Sequence, residues 1–185
     1  GISLKNISNL LNKNNFVKFK ITKYKDNLFY GKIIENIGEF CDDKALTRYL
    51  IDFYNLKNEF PEKVLKKSEK CVNRYNNDMS QEIKNRKDLR YLNTFTIDPK
   101  GARDLDDAIS IEKFNNIYKL YIHIADVSYF VKKGNSIDTE CRKRSFSVYL
   151  PDNVIRMLPP LLSENLCSLL PNSDKYAVTT EVEIN

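Results

Sequence analysis

The sequence predicts an α+β fold, and three observations predict it. FVKFKITKY and NLFYGKIIEN alternate apolar and polar residues on either side of KDN, the pattern of a β-hairpin. LTRYLIDFYNL and EKVLKKSEKCVNRY carry helical spacing, the first behind Asp42 or Asp43 as a cap and the second behind Pro61 as an opener. Beyond a polar stretch at residues 76–90, short β runs are interspersed with helical segments around one core, an α+β or mixed α/β arrangement.

Taken in order, residues 3–12 (SLKNISNLLN) read as a short amphipathic helix. The hairpin after it is basic and bears aromatics. It fits the edge of a small oligonucleotide-binding β-barrel and fits other β-modules equally well. The two helices follow, and NNDMSQEIKNRKDLR reads as a surface linker with a boundary in it. NTFTI is a short β run that Pro99 and Gly101 interrupt. AISIEKF and IYKLYIHIA form a second hairpin across NN, with strands that look buried. IDTECRKRSF is helical, with Arg142, Lys143 and Arg144 on a solvated face, and SVYLP follows it. MLPPLLSENLCSLLP is a Pro-punctuated connection with one helical turn, and YAVTTEVEI is a final strand.

Bulk properties narrow the function classes. The chain has 185 residues, room for one domain or one domain plus part of another. No apolar run approaches the roughly 18 residues of a membrane span, and GISLKNISNL lacks the layout of a signal peptide. A net charge of +5 is compatible with nucleic acid without demanding it. Cys41, Cys71, Cys141 and Cys167 never form CxxC and there is one histidine, so a zinc site is not expected and the thiols read as reduced and intracellular. The first residue is Gly and the last five, EVEIN, still alternate like a strand, so the sequence reads as a piece of a longer protein.

One stretch concentrates chemistry. DPKGARDLDDA places Asp98, Asp104, Asp106 and Asp107 within ten positions. Carboxylates this close raise one another's pKa unless solvent or a cation absorbs the charge. A solvated acidic loop is one reading. Against it, Asp98 follows a β run and Asp106 and Asp107 begin the next, so the acids stand at strand ends. Pro99 and Gly101 let the chain fold back between them. Oxygen-only donors suit Mg²⁺, with phosphate as co-ligand, and the spacing is not that of an EF-hand. Metal-assisted phosphodiester hydrolysis is the chemistry this donor set would serve. The residues alone leave both readings open.

Longer motifs go further. RKDLRYLNTFTIDPKGARDLDDAIS, LYIHIADVSYFVKKGNSIDTE and RSFSVYLPDNVIRMLPPLLSENLCSLLPN, in that order, resemble the ribonuclease II / ribonuclease R superfamily and its RNB catalytic domain. YGKIIENIG and EFPEKVL resemble the end of the second cold-shock domain and the linker after it in ribonuclease R-like members. The resemblance implies the N-terminal half of an RNB domain, a mixed sheet with surrounding helices, over residues 91–185. Before it would come the remnant of a cold-shock barrel of the oligonucleotide-binding type over 1–40 and a helical linker over 41–90. It implies 3′-to-5′ hydrolytic degradation of single-stranded RNA to nucleoside 5′-monophosphates, with Mg²⁺ or Mn²⁺.

By position, Asp98, Asp104 and Asp107 would hold metal and Asp106 would be the acid whose loss stops chemistry. Tyr149 would pack against the terminal nucleotide, and Arg103 would be a charge partner or a phosphate contact. His123 and Cys167 read as core residues, and Asp126 as a turn residue bonded to backbone. The family's later arginine, glutamate, opposing aromatic and C-terminal oligonucleotide-binding domain have no counterpart in these residues, so the isolated piece is expected to be weak or inactive. The implied partner is an RNA 3′ end, with RNA-decay proteins as further partners, no membrane, and an intracellular, cytoplasmic setting. Two rivals remain: a non-cutting RNA-binding or assembly module of a decay complex, and a metal-dependent nuclease or phosphatase of another family.

Overall fold

The computed structural model describes residues 14–185 and the backbone of Ile2–Ser3. Residues 4–13, which hold nearly all of the expected first helix, lie outside the described residues. The chain divides into two units, Gly1–Asn58 with Val148–Ile155, and Glu59–Ser147 with Arg156–Asn185.

In the first unit β1 (Ile2–Ser3) pairs parallel with β3 (Leu28–Glu39), which pairs antiparallel with β2 (Asn15–Lys25). Asp26 and Asn27 join β2 to β3 at φ 53° and 57°. Two successive left-handed residues give a turn whose twist matches the strands, and Asp and Asn tolerate that conformation best after Gly. α1 (Asp43–Phe53) follows, and of the two candidate caps it is Asp42 that accepts from the Lys44 amide, at 3.1 Å. Phe16 on β2 stacks on Tyr49 of α1 at 4.3 Å, and Lys18 pairs with Asp52 at 2.9 Å. Gly38 (φ 135°), one residue before the end of β3, stands where a Cβ would lie 2.7 Å from that of Ala45.

The second unit begins with α2 (Glu62–Glu82), opened by Pro61. It runs to Glu82, well into the stretch that reads as linker, and a 3₁₀ turn continues through Asn85. Side-chain pairs one turn apart, Arg74–Asp78 and Glu82–Arg86, support the extra length. Tyr75 anchors it by donating to the Asp174 carbonyl at 2.7 Å. Val64, Ser68 and Cys71, at successive helical spacings, are its buried stripe.

A four-stranded sheet follows in the order β4 (Thr94–Phe95), β5 (Asp107–Phe114), β6 (Ile117–Ala125) and a last strand, Ala177–Ile184. Every pairing in it is antiparallel, so the mixed sheet expected for this part is not found. The reason is where the chain returns. It leaves β6 at Ala125 and re-enters opposite the same residue at Ala177, which makes the strands run in opposite senses. The excursion between them carries α3 (Val127–Phe130) and α4 (Ser136–Arg144), then β7 (Val148–Tyr149) and β8 (Val154–Ile155) of the first unit, then a π-helical turn at Leu162–Leu166 before the closing strand β9.

The core of this unit gathers Ile137, Leu162, Leu166, Tyr129, Phe130 and Tyr176 around Val64. Cys71, Cys141 and Cys167 are buried and free. Burial pushes the Cys141 thiol up to about 11 and the Cys167 thiol to about 12, which leaves them unreactive packing groups. Arg144, expected on a solvated face, instead turns inward to pair with the buried Glu140 at 3.0 Å and to stack over Phe60. Arg142 stays exposed.

The sheet is buried on one face only. Ala108, Ser110, Tyr121, His123 and Ala125 point inward, while Ile111, Ile124, Val178 and Val182 on the other face are exposed. Isoleucines on both faces of β6 make the strand read as buried throughout, and residue type alone does not say which face is covered.

Candidate active site: an aspartate quartet at strand ends

Asp107 opens β5 as the sequence predicts, whereas Asp106 stands just before the strand and Asp98 lies three residues past the end of β4 at Phe95 instead of directly at a strand end. Asp107 pairs with Ile124. Asp106 precedes it, with its carbonyl accepting from the Ala125 amide at 3.0 Å. Asp98 lies beyond β4, at the start of a turn closed by the Ala102 amide on the Pro99 carbonyl at 3.0 Å. Gly101 supplies the left-handed third position (φ 90°) that this turn requires. Asp104 stands between, and the backbone on both sides of it is tied down. Arg103 C=O accepts from the Ser168 hydroxyl at 2.7 Å, Leu105 N–H donates to the same oxygen at 3.0 Å, and Leu169 N–H donates to Leu105 C=O at 2.8 Å.

Asp106 registers the gathering. Its carboxyl is held above the ordinary carboxylate range, first by desolvation and then by the charges of Asp104, Asp107 and Asp98. Among the described residues no three histidine, cysteine or carboxylate side chains are already close enough to hold a metal ion. The four share one electrostatic field without forming a finished cage. Their donor chemistry, oxygen alone and several negative charges, fits Mg²⁺ or Mn²⁺, which would offset the desolvation and the repulsion that together raise Asp106.

Arg103 projects into solvent beside Asp104, its guanidinium 4.0 Å from Glu164. Glu164 also pairs with Arg156. Neither Glu164 nor Ser168 is prominent in the sequence, where SENLCSLLP reads only as a helical turn. What brings them to the acids is the return of residues 162–169 against the loop. Tyr149 lies on β7 in the first unit and is 65% exposed.

The residues read as structural are so. His123 is buried with its ring nitrogens 3.0 Å from Ser110 Oγ and 2.9 Å from Thr179 Oγ1, and Thr94 continues the chain to Ser110 at 2.8 Å. Burial holds its pKa below the usual histidine value, and a neutral ring can donate through one nitrogen while accepting through the other. Asp126 caps α3, accepting from the Tyr129 amide at 3.1 Å and the Ser128 hydroxyl at 2.7 Å. Arg86 reaches its other oxygen at 2.8 Å.

Fold and site together define an α+β domain with an acidic, all-oxygen centre at one end of an antiparallel sheet. The RNB domain matches residues 86–185, and the chain belongs to that family. It is 44% identical over 175 residues to ribonuclease R of Aquifex aeolicus, an alignment covering 93% of this chain and 24% of that protein. It superposes over its whole length on 29% of the chain of Mycoplasma genitalium RNase R bound to ribose-methylated single-stranded RNA, with 29% identity and a TM-score of 0.74. It is also 50% identical over 106 residues, 57% of this chain and 10% of the relative, to an Arabidopsis thaliana protein named inactive exonuclease DIS3L2. The chain thus spans about a quarter of the ribonuclease R relative it matches.

Proposed function

We propose that this chain carries the aspartate half of a 3′-to-5′ exoribonuclease site that hydrolyses single-stranded RNA to nucleoside 5′-monophosphates with Mg²⁺, Mn²⁺ being able to replace it. What supports the reading is membership of the RNB family, together with four aspartates gathered within ten positions. In it, Asp98, Asp104 and Asp107 hold the cation and Asp106 completes the acidic field at the scissile phosphate. A divalent ion there supplies an activated water and stabilises the leaving oxygen. Arg103, the exposed cation beside the acids, contacts a phosphate, and Tyr149 stacks on the terminal base. The hairpin of the first unit is the end of a cold-shock barrel, and α1 and α2 belong to the linker that follows. The setting is intracellular and cytoplasmic. Among the described residues no helix is long and apolar enough to cross a membrane.

The Arabidopsis relative named as inactive favours one second reading, a module that binds RNA or decay proteins without cutting. Incubating the full-length protein with labelled single-stranded RNA separates the two. The nuclease reading predicts mononucleotides in Mg²⁺ and none in EDTA. The module reading predicts salt-sensitive binding and no product in either.

The stacking role makes its own prediction. Base–aromatic stacking contributes about 1–3 kcal/mol per base. Tyr149→Ala in the full-length protein should therefore change the length of the last uncut fragment by one or more nucleotides on a sequencing gel, with RNA affinity altered far less. An unchanged end fragment removes Tyr149 from the site.

A further inference from the structure

The four aspartates are not fixed by the same means. Asp107 is in the sheet ladder and Asp106 is tied through its carbonyl to Ala125, so both follow the geometry of β5 and β6. Asp104 lies outside the ladder, on a loop. The backbone that flanks it meets one side chain, Ser168, which has no solvent exposure at all. Its hydroxyl donates to Arg103 C=O at 2.7 Å and accepts from Leu105 N–H at 3.0 Å, so a single oxygen bridges the peptide groups before and after Asp104.

The serine is itself anchored. Its amide donates to the Asn165 carbonyl at 3.0 Å, the amide of Leu169 donates to Leu105 C=O at 2.8 Å, and the Leu105 side chain is buried. The same π-helical turn carries Glu164, which faces the Arg103 guanidinium. Loop and turn are therefore locked together through the backbone on either side of Asp104.

We propose that Ser168 is a positioning residue of the acidic site, its hydroxyl setting where Asp104 stands relative to Asp106 and Asp107 by bridging Arg103 C=O and Leu105 N–H. Removing the hydroxyl unpairs two backbone groups at once, the buried Leu105 amide and the part-buried Arg103 carbonyl, and the loop's way to re-satisfy them is to move toward water. Asp104 moves with it. The functional meaning of this clamp rests on the nuclease reading, but the clamp can be tested without RNA.

The test uses the full-length protein in EDTA, followed by NMR with selectively labelled aspartate and leucine. In Ser168→Ala, amide exchange at Leu105 should rise on the order of tenfold, and the side-chain carboxyl carbons of Asp104 and Asp106 should shift. The β6–β9 amides should exchange as in the wild type. A role confined to packing would move stability and leave those carboxyl resonances in place. Unchanged Leu105 exchange, or unchanged carboxyl resonances in a folded variant, overturns the proposal. Should the variant not fold, the wild-type full-length protein decides: a slowly exchanging Ser168 hydroxyl proton with a nuclear Overhauser contact to the Leu105 amide supports the clamp, and its absence overturns it. Mn²⁺ is the separate probe of the nuclease reading. Wild-type aspartates that ignore Mn²⁺ contradict that reading, whereas equal broadening of Asp104 and Asp106 in wild type and Ser168→Ala contradicts the clamp.

Discussion

Replacing Asp106 by Asn in the full-length protein should lower RNA hydrolysis by more than about a hundredfold, the scale of losing one preorganised charge contact at a reacting phosphate. The substitution keeps the side chain's shape and removes only its charge. The charges of Asp104, Asp107 and Asp98 all act to raise the Asp106 carboxyl, so a lost charge there alters the field the four share. RNA affinity should survive, and it should still fall steeply with salt, because phosphate contacts by basic side chains are not touched. Initial rates and filter binding across salt concentrations measure the two separately. Hydrolysis within a fewfold of wild type would remove Asp106 from the chemistry. Hydrolysis and binding lost together would make it a binding residue.

The largest stability effect is expected at Arg86, which stands outside the site. Its guanidinium pairs with Asp126 at 2.8 Å and Glu82 at 2.9 Å, and lies 4.3 Å from the centre of the Tyr176 ring and 5.3 Å from that of Tyr129. The Asp126 side chain is only 9% exposed. Arg86→Ala would leave that carboxylate buried without its cation, a change that costs about 3–5 kcal/mol in comparable settings. Thermal unfolding should then come roughly 10 °C earlier.

The pH dependence follows from Asp126. Burial acts to raise its pKa, but hydrogen bonds from Ser128, Arg86 and the Tyr129 amide outweigh it and hold the group below the ordinary carboxylate range. A depressed folded-state pKa gives stability that is present above the unfolded value of about 3.9 and is lost as pH falls through the folded one. The gap between wild type and Arg86→Ala should accordingly be full at neutral pH and shrink below about pH 4. Denaturation midpoints at several pH values check it, and a gap that persists unchanged into acid would assign the effect to the aromatic contacts instead.

The elements were largely legible because their signals are local. The Asp26–Asn27 turn, the Asp42 cap and the Pro61 start are each written in one or two residues. The clustering of the four aspartates is visible for the same reason, since it lies within ten consecutive positions. What was not legible depends on partners distant in sequence. The end of α2 hangs on Tyr75 meeting Asp174, the all-antiparallel sheet on the chain returning at Ala177, and the inward turn of Arg144 on Phe60. Ser168 and Glu164 belong to this group. A serine in a leucine-rich turn carries no signal of its own, and its role comes from lying against a loop more than sixty positions earlier.

The central claim is that the quartet serves a reaction that starts at an RNA 3′ end. Its most direct test is a time course with a 5′-labelled single-stranded RNA, full-length protein and Mg²⁺, run beside the same RNA with its 3′ end blocked. The account predicts a ladder that shortens from the 3′ side to a core of a few nucleotides, mononucleotides as the released product, and little cleavage of the blocked RNA. Internal cuts at the earliest times, or equal cleavage of the blocked and free RNAs, would contradict it.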